Sequence, residues 1–331
     1  AGDGVVIPIA YGHVQIGGHV FAQVYDDETK TWTVGVFWCW GEISQYHEVY
    51  ADGEAWAGAT APNHYRGTLT QTADPLLSNA IATFDDDHVA TRGGNSLGIA
   101  YSVFQYTDDE YDKRPEFVAE IDARKVYNPD DGAQDPADPS TWTFTKTPAR
   151  HLRDFTTEPF FGPADSYNDA SVSDVIAANE ETVITEPRRE MGLVLDRVRP
   201  WNEWRRTIES YAGCYSFKRG SEWVMVPDRP RAVVMDVTPS DILKDTFKPR
   251  TTPPAPTYVR VWYADTTDVI WRDRFVDAKL DGVDDGSVAR RTQEIRMPGI
   301  HRAIQANRDA NERLNKHQAF VQATFVLRDK F

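Results

Sequence analysis

Cysteine is nearly absent from this chain: Cys39 and Cys214 are the only two in 331 residues. Two cysteines cannot build a disulfide scaffold, and both sit in apolar contexts, FWCWG and AGCYS, that suit buried free thiols. A thiolate metal centre needs more ligands at closer spacing. The pattern suits assembly in a reducing cytoplasm. Long apolar runs are missing too. The longest, VGVFWCW at Val34–Trp40, is strand-sized and far short of the ~20 residues that span a bilayer, so no membrane span is expected. Positive charge is in deficit: 36 Lys and Arg stand against 51 Asp and Glu, a net −15. The Arg residues are interleaved with acids, which excludes a sequence-reading nucleic-acid binder. An acidic surface repels DNA. That suits ordinary solubility, or a conduit through which DNA slides without sticking.

Catalytic signatures are missing as well. There is no HExxH, no G-x-S-x-G, no phosphate-binding loop and no Cys/His pair at catalytic spacing. The paired glycines of IGGH and RGGN lack the rest of a phosphate-loop pattern. Eight His are scattered, with His13, His19 and His47 in β-like segments near the start. The sequence therefore assigns no catalytic, cofactor-binding or metal-binding residue and no cofactor, and enzymatic activity is not expected.

Four groups offer an alternative to that reading. Asp85, Asp86, Asp87 and His88 are consecutive, whereas a calcium loop alternates its ligands and closes on a downstream Glu; a solvated loop is expected, a cation site being the alternative. Asp281, Asp284 and Asp285 read as turn chemistry, with a structural cation as alternative. Asp108, Asp109, Glu110 and Asp112 could supply a glycosidase pair only if two faced each other across a groove; a solvated face is expected. Phe37, Trp38 and Trp40, and Trp201 with Trp204, read as core or interface packing, or else as platforms that stack on sugars.

What is present is order. At 331 residues the chain has room for two or three domains. VVIPIAYG, HVQIGGHVFAQVYD and TWTVGVFWCW read as strands, and HEVYADGEAW as a hairpin turning at Asp52–Gly53. Leu97–Tyr106 and Phe117–Tyr127 read as two long antiparallel strands joined by an acidic link. Asn128–Ser140 reads as a Pro/Asp-punctuated linker. Helices follow. Thr147 is a candidate cap with Pro148 at the first position, Asn168 or Asp169 caps the next, and Pro200 starts a third. In that third helix Trp201, Trp204, Ile208 and Tyr211 line one face, and Gly213 stops it. CYSFKRGSEWVMVPD reads as a hairpin turning at Arg219–Ser221, and DILKD as a short helix capped by Ser240. A further β region opens at TTPPAPTYVRVWYAD, Arg291–Met297 is a candidate strand, HRAIQANRDANERLNKHQ a long helix and FVQATFVLRDKF a closing strand. The chain begins at Ala1 without Met and stops mid-pattern at Phe331, which reads as a piece processed or cut from a longer polypeptide.

Six of these segments, in order, resemble the central tail-tip protein of long-tailed phages, the host-specificity "protein J" or tail-hub family. IPIAYGHVQIGGHVF resembles its opening strand pair, GEISQYHEVYADG its early hairpin, and VAEIDARKVYNP its strand-plus-loop. Trp142, Pro148–Ala149, Leu152–Phe155 and Pro159 resemble its first helix. RPWNEWRRTIESYAGCYSFKRGSEWVMVPDRP and MPGIHRAIQANRDANERL resemble its helix–hairpin and late helix. Ala123 stands where the family has Gly, and Phe160–Phe161 replaces a Tyr-containing turn.

The resemblance implies an α+β, mainly β fold with β-barrel-like, tube-type hub domains and an inserted small helical domain. It divides the chain into a first hub β domain at 1–55, a strand-rich domain at 56–130, a small α+β domain at 131–228 with helices near 147–157, 168–181 and 200–212, and a last hub domain at 229–331 with a helix near 300–317. It implies a homotrimer that closes the distal tail tube in the virion tail tip and is assembled in the host cytoplasm. Its implied partners are the distal tail protein and other tail-tip proteins, the tape-measure protein, phage DNA passing through the channel without sequence-specific binding, and a host surface receptor. Three copies would carry about −45, a field that discourages DNA from sticking. A carbohydrate- or receptor-binding module of the tail tip, and a cell-wall hydrolase, are the alternative readings.

Overall fold

The computed structural model describes residues 6–78, 98–111, 113–229, 238–250, 255–316, 322–324 and 326. Strand outweighs helix, about 38% to 20%, so the fold is α+β and mainly β. The chain divides into unit 1, Ala1–Pro227 with Thr267–Trp271, and unit 2, Asp228–Thr266 with Arg272–Phe331. Among the described residues every sheet is open; none closes into a barrel.

Unit 1 starts with β1 (Ile9–Tyr11), β2 (His13–Gly17), β3 (His19–Asp26), β4 (Thr31–Trp40), β5 (Ile43–Ala51), β6 (Glu54–Ala55), β7 (Asn63–Arg66), β8 (Ile99–Thr107) and β9 (Phe117–Arg124). The β5–β6 turn is Asp52–Gly53, both with positive φ (50° and 87°), the primed turn whose twist matches a hairpin. One sheet carries β4 between β1 and β8, with β7 beyond β8 and β3 also paired to β4. The other runs β2-β9-β5-β6. Their facing sides share one apolar core: Val34, Val36, Trp38, Ala100 and Phe104 from the first, and Val14, Ile16, Val49, Phe117, Ala119 and Ile121 from the second.

Ile99–Thr107 and Phe117–Arg124 are both strands, but they are not a hairpin. β8 pairs with β4 and β7, while β9 pairs with β2 and β5. The acidic link between them carries the chain from one sheet to the other. Tyr111 in that link stacks on Trp56 (centroids 5.7 Å, 13°), over the end of the shared core.

The rest of unit 1 holds α1 (Pro148–Thr157), β10 (Ser166–Tyr167), α2 (Asp169–Glu180), β11 (Thr182–Val183), β12 (Glu186–Pro187), β13 (Leu193–Leu195), α3 (Trp201–Ala212), β14 (Cys214–Arg219) and β15 (Glu222–Pro227). Asn168 caps α2, its side chain accepting from Ser171 N at 3.0 Å. Thr147 stands at the N-cap of α1 but makes no side-chain cap; its hydroxyl donates to Glu180 Oε1 at 2.8 Å and ties α1 to α2 instead. Gly213 ends α3 in the left-handed region at φ 58°, where a Cβ would meet the Arg189 guanidinium. β13 returns to the first sheet and pairs antiparallel with β1.

Unit 2 holds β16 (Lys248–Arg250), β17 (Tyr258–Asp265), β18 (Arg272–Lys279), β19 (Thr292–Arg296), α4 (Ala303–Lys316) and β20 (Gln322–Thr324). β17 is the centre, antiparallel to β18 and parallel to β19. Val259, Val261, Tyr263, Met297 and Ile300 are buried in this unit, as are Ala306, Ala310 and Leu314 at four-residue steps along α4. The turn near DILKD is a 3-10 turn at Pro239–Asp241 capped by Thr238, not a helix capped by Ser240. Thr238–Pro239 starts the turn two residues earlier, because Pro is favoured at the first position and Asp241 closes a capping box back onto Thr238.

Candidate functional site

The most chemically distinctive group among the described residues lies on the outer face of the β2-β9-β5 sheet. In β9 the side chains alternate. Phe117, Ala119 and Ile121 enter the core, while Glu120 and Asp122 point outward. β2 alternates in step, with Val14 and Ile16 buried. The register pairs His13 with Asp122 and Gln15 with Glu120, so four polar side chains share one face. His47 joins them through a β-bulge. β5 pairs Tyr46 with Ile121 and Glu48 with Glu120, which leaves His47 as the extra residue. The bulge restores Val49 to the core opposite Ala119 while His47 and Glu48 both stay exposed.

The geometry is tight. His13 Nδ1 lies 2.8 Å from Asp122 Oδ1, and His13 Nε2 lies 3.1 Å from Glu120 Oε1. His47 Nε2 lies 3.0 Å from Asp122 Oδ2. The Tyr50 hydroxyl donates to Glu120 Oε2 at 3.3 Å. The two imidazoles meet edge to face at 5.0 Å, and the Trp271 ring of the 267–271 segment lies 5.4 Å from His13. Gln15 holds that segment, donating to Val269 O at 2.9 Å and accepting from Trp271 N at 3.1 Å. One ligand atom each from His13, His47 and Asp122 fall within 4.8 Å of one another, the spacing of a cation site. Sequence reasoning noted His13 and His47 but did not join them, and it missed Glu120 and Asp122. The alternation in FVAEIDAR and HVQIG places each residue on the right face; the sheet pairing and the bulge carry no sequence signal.

The other candidates take structural roles. Asp108 accepts from the Tyr25 hydroxyl (2.7 Å) and Trp32 Nε1 (2.8 Å). Glu110 accepts from the backbone N–H of Thr107 (2.7 Å) and Ala59 (2.8 Å). Those donors hold both carboxyls below their ordinary range, Asp108 mainly through Tyr25 and Glu110 mainly through the Thr107 amide. A glycosidase acid needs the opposite shift. Asp284 pairs with Lys279, and Asp285 accepts from Ser287 N at 2.8 Å beside two positive-φ glycines, which is turn chemistry. Asp85–His88 and Asp112 lie outside the described residues.

The aromatic groups are packed. Trp38 is fully buried and donates to Ser102 Oγ at 2.8 Å, and Phe37 stacks on Phe21 at 3.7 Å. Trp204 is buried with Arg199 over its face, while Trp201 lies between Phe155 and Trp223. Neither Trp38 nor Trp204 is accessible as a sugar platform. Cys39 and Cys214 are buried free thiols, and burial pushes the Cys39 thiol up to about 12.

A second polar group is buried where β9 ends under α1. Arg124 Nε donates to Asp154 Oδ2 at 2.9 Å and its Nη2 pairs with Glu158, while the Tyr11 hydroxyl donates to Asp154 Oδ2 at 2.6 Å. Burial, then the Asp154 charge, pushes the Tyr11 hydroxyl well above its usual range. His151 stacks on Tyr11 at 4.9 Å and donates from Nε2 to Thr145 O at 3.1 Å; burial drives its imidazole down to about 3, so it stays neutral.

The sequence matches no protein-family model and no curated protein. The fold has a solved counterpart. A chain in the structure of the virion of a native gene transfer agent particle superposes with a TM-score of 0.63 at 18% identity, over 99% of this chain and 76% of that one. A 43 kDa tail protein of prophage MuSo2 from Shewanella oneidensis aligns over 97% of this chain and 81% of that one, at 9% identity and a TM-score of 0.34. At these identities the likeness to the gene transfer agent chain is one of fold.

Proposed function

We propose that this chain is a structural virion protein, the central hub of a phage-type tail tip, and that it performs no catalytic step. The observation that carries the reading is the fold shared with a chain of a gene transfer agent virion along 99% of this sequence. The six ordered sequence segments that resemble the tail-hub family support it independently. In this reading the protein is a homotrimer at the distal end of the tail tube. It packs against the distal tail protein and other tail-tip proteins, meets the end of the tape-measure protein, and lines the channel through which DNA leaves on contact with a host receptor. The net charge of −15 suits such a channel, because an acidic protein repels passing DNA. The packing of Trp38 and Trp204 and the hydrogen-bonded acids of the Asp108–Glu110 segment fit a protein built for assembly.

The test is particle composition. Purified particles should contain the chain, and labelling it should mark the distal end of the tail in electron micrographs. Deleting its gene should yield tube or head structures without a finished tip. Particles of full infectivity that lack the chain would overturn the proposal.

A further inference from the structure

We propose that His13, His47 and Asp122 form a binding site for a transition-metal dication of the Zn2+ class, with Glu120 as the outer carboxylate that fixes the His13 ring. Both ring nitrogens of His13 face carboxylates, Asp122 at 2.8 Å and Glu120 at 3.1 Å. A neutral imidazole has one N–H and one lone pair, so one of these contacts sets a lone pair against a carboxylate oxygen. A cation resolves the conflict. With metal on the Nδ1 side, Nδ1 and Asp122 both become ligands, and Nε2–H donates to Glu120. That is the carboxylate–histidine–metal arrangement in which an outer acid selects the tautomer and raises ligand basicity. The Tyr50 hydroxyl on Glu120 steadies the outer acid in turn.

The Nδ1 side is the one with further ligands. His47 Nε2 approaches the second oxygen of Asp122 at 3.0 Å. Ligand atoms bound to Zn2+ at ~2.0–2.2 Å in a tetrahedron stand roughly 3.3 Å apart. Each histidine nitrogen lies near that distance from its own Asp122 oxygen, and one atom from each of the three residues falls within 4.8 Å of the others, so small side-chain shifts close the set on a cation. Three protein ligands leave a fourth position open for water or a group from another molecule. Two imidazoles and one carboxylate suit Zn2+, Co2+ or Ni2+, whereas Ca2+ and Mg2+ take oxygen ligands. The three ligands come from three adjacent strands, and the bulge that presents His47 is a device that re-aims a side chain without disturbing the core behind it.

The experiment is titration of the untagged, chelator-treated protein with ZnCl2 by calorimetry, and with CoCl2 by visible absorption, with CaCl2 and MgCl2 as controls. One Zn2+ per chain should bind, Co2+ should give the intense bands of a low-symmetry site, and Ca2+ should not compete. His47→Ala and Asp122→Ala should abolish the Co2+ bands, Glu120→Gln should weaken binding about 10–100-fold, and His19→Ala should leave it unchanged. Each variant's circular dichroism without metal checks that it folds. Should any variant unfold, ring 15N spectra of the wild-type protein decide, since His13 and His47 signals must move on Zn2+ addition. Binding that survives in folded His47→Ala, ring signals that stay fixed, or no stoichiometric binding at all overturns the proposal.

Discussion

The two faces of β9 are made by one eight-residue strand, yet they do different work. The inner face, Phe117, Ala119, Ile121 and Ala123, is apolar and buried in the core shared by the two sheets. The outer face, Val118, Glu120, Asp122 and Arg124, carries charge. Along that outer face the environment changes within a few residues. Glu120 and Asp122 are part-exposed and face two histidines, whereas Arg124 is covered by α1 and pinned between Asp154 and Glu158. Period-two alternation thus separates stability from chemistry on a single strand, and the helix above Arg124 turns a surface charge into a buried one.

Breaking that buried charge should have the largest effect. Arg124→Ala leaves Asp154 in α1 and Glu158 at its C-cap without their cation, and loss of one partner from a buried pair costs about 3–5 kcal/mol. On the inner face, Ile121→Ala opens a cavity between the sheets and should cost about 2–5 kcal/mol. Asp122→Ala, its outer neighbour, should cost far less, within about 1 kcal/mol in metal-free buffer. Urea unfolding of the three variants orders them. An Asp122→Ala loss equal to that of Ile121→Ala would remove the distinction between the faces.

The next effect is pH-dependent and sits at His151, which stacks on Tyr11. Burial holds the His151 imidazole at about 3 in the folded protein, against an ordinary 6.5. A depressed value means that the unfolded chain takes up a proton which the folded one refuses. The stability is present above pH 6.5 and is lost as pH falls toward 3, at up to about 1.4 kcal/mol per pH unit. His151→Gln keeps a side-chain donor near Thr145 O but cannot titrate. Urea midpoints between pH 7 and pH 4 should fall more steeply in the wild-type protein than in this variant. Parallel profiles would show that His151 is not the group being protonated.

Much of this was legible in the sequence, and the reasons are local. FVAEIDAR alternates, Asp52–Gly53 is a primed turn, Asn168 precedes a helix with Ser171 in reach, and Gly213 ends one; each signal is complete within a few residues. What could not be read depends on distant pairing. The link after Thr107 is long enough either to turn a hairpin or to cross between sheets, and only the shared core decides that it crosses. Thr147 has the right identity for a cap, but Glu180, far along the chain, claims its hydroxyl. The cluster is the extreme case. His13 and Asp122 are 109 positions apart, and His47 reaches them only because β5 holds one residue more than its partner.

That extra residue gives the smallest expected effect and the most discriminating one. In a regular strand, deleting one residue sends every later side chain to the opposite face. Deleting Asp122 from β9 would do this to Ala123 and Arg124, taking Arg124 from its partners, and should unfold the protein. Deleting His47 should not. Tyr46 already pairs with Ile121 and Glu48 with Glu120, so removing the residue between them leaves a continuous ladder with Val49 still facing the core. The deletion variant should therefore fold, lose less stability than Ile121→Ala, and lose the spectral signature of Co2+ at the cluster. If it instead aggregates while the Asp122 deletion is tolerated, the bulge is holding the sheet together, and the outer face of this strand is as structural as the inner one.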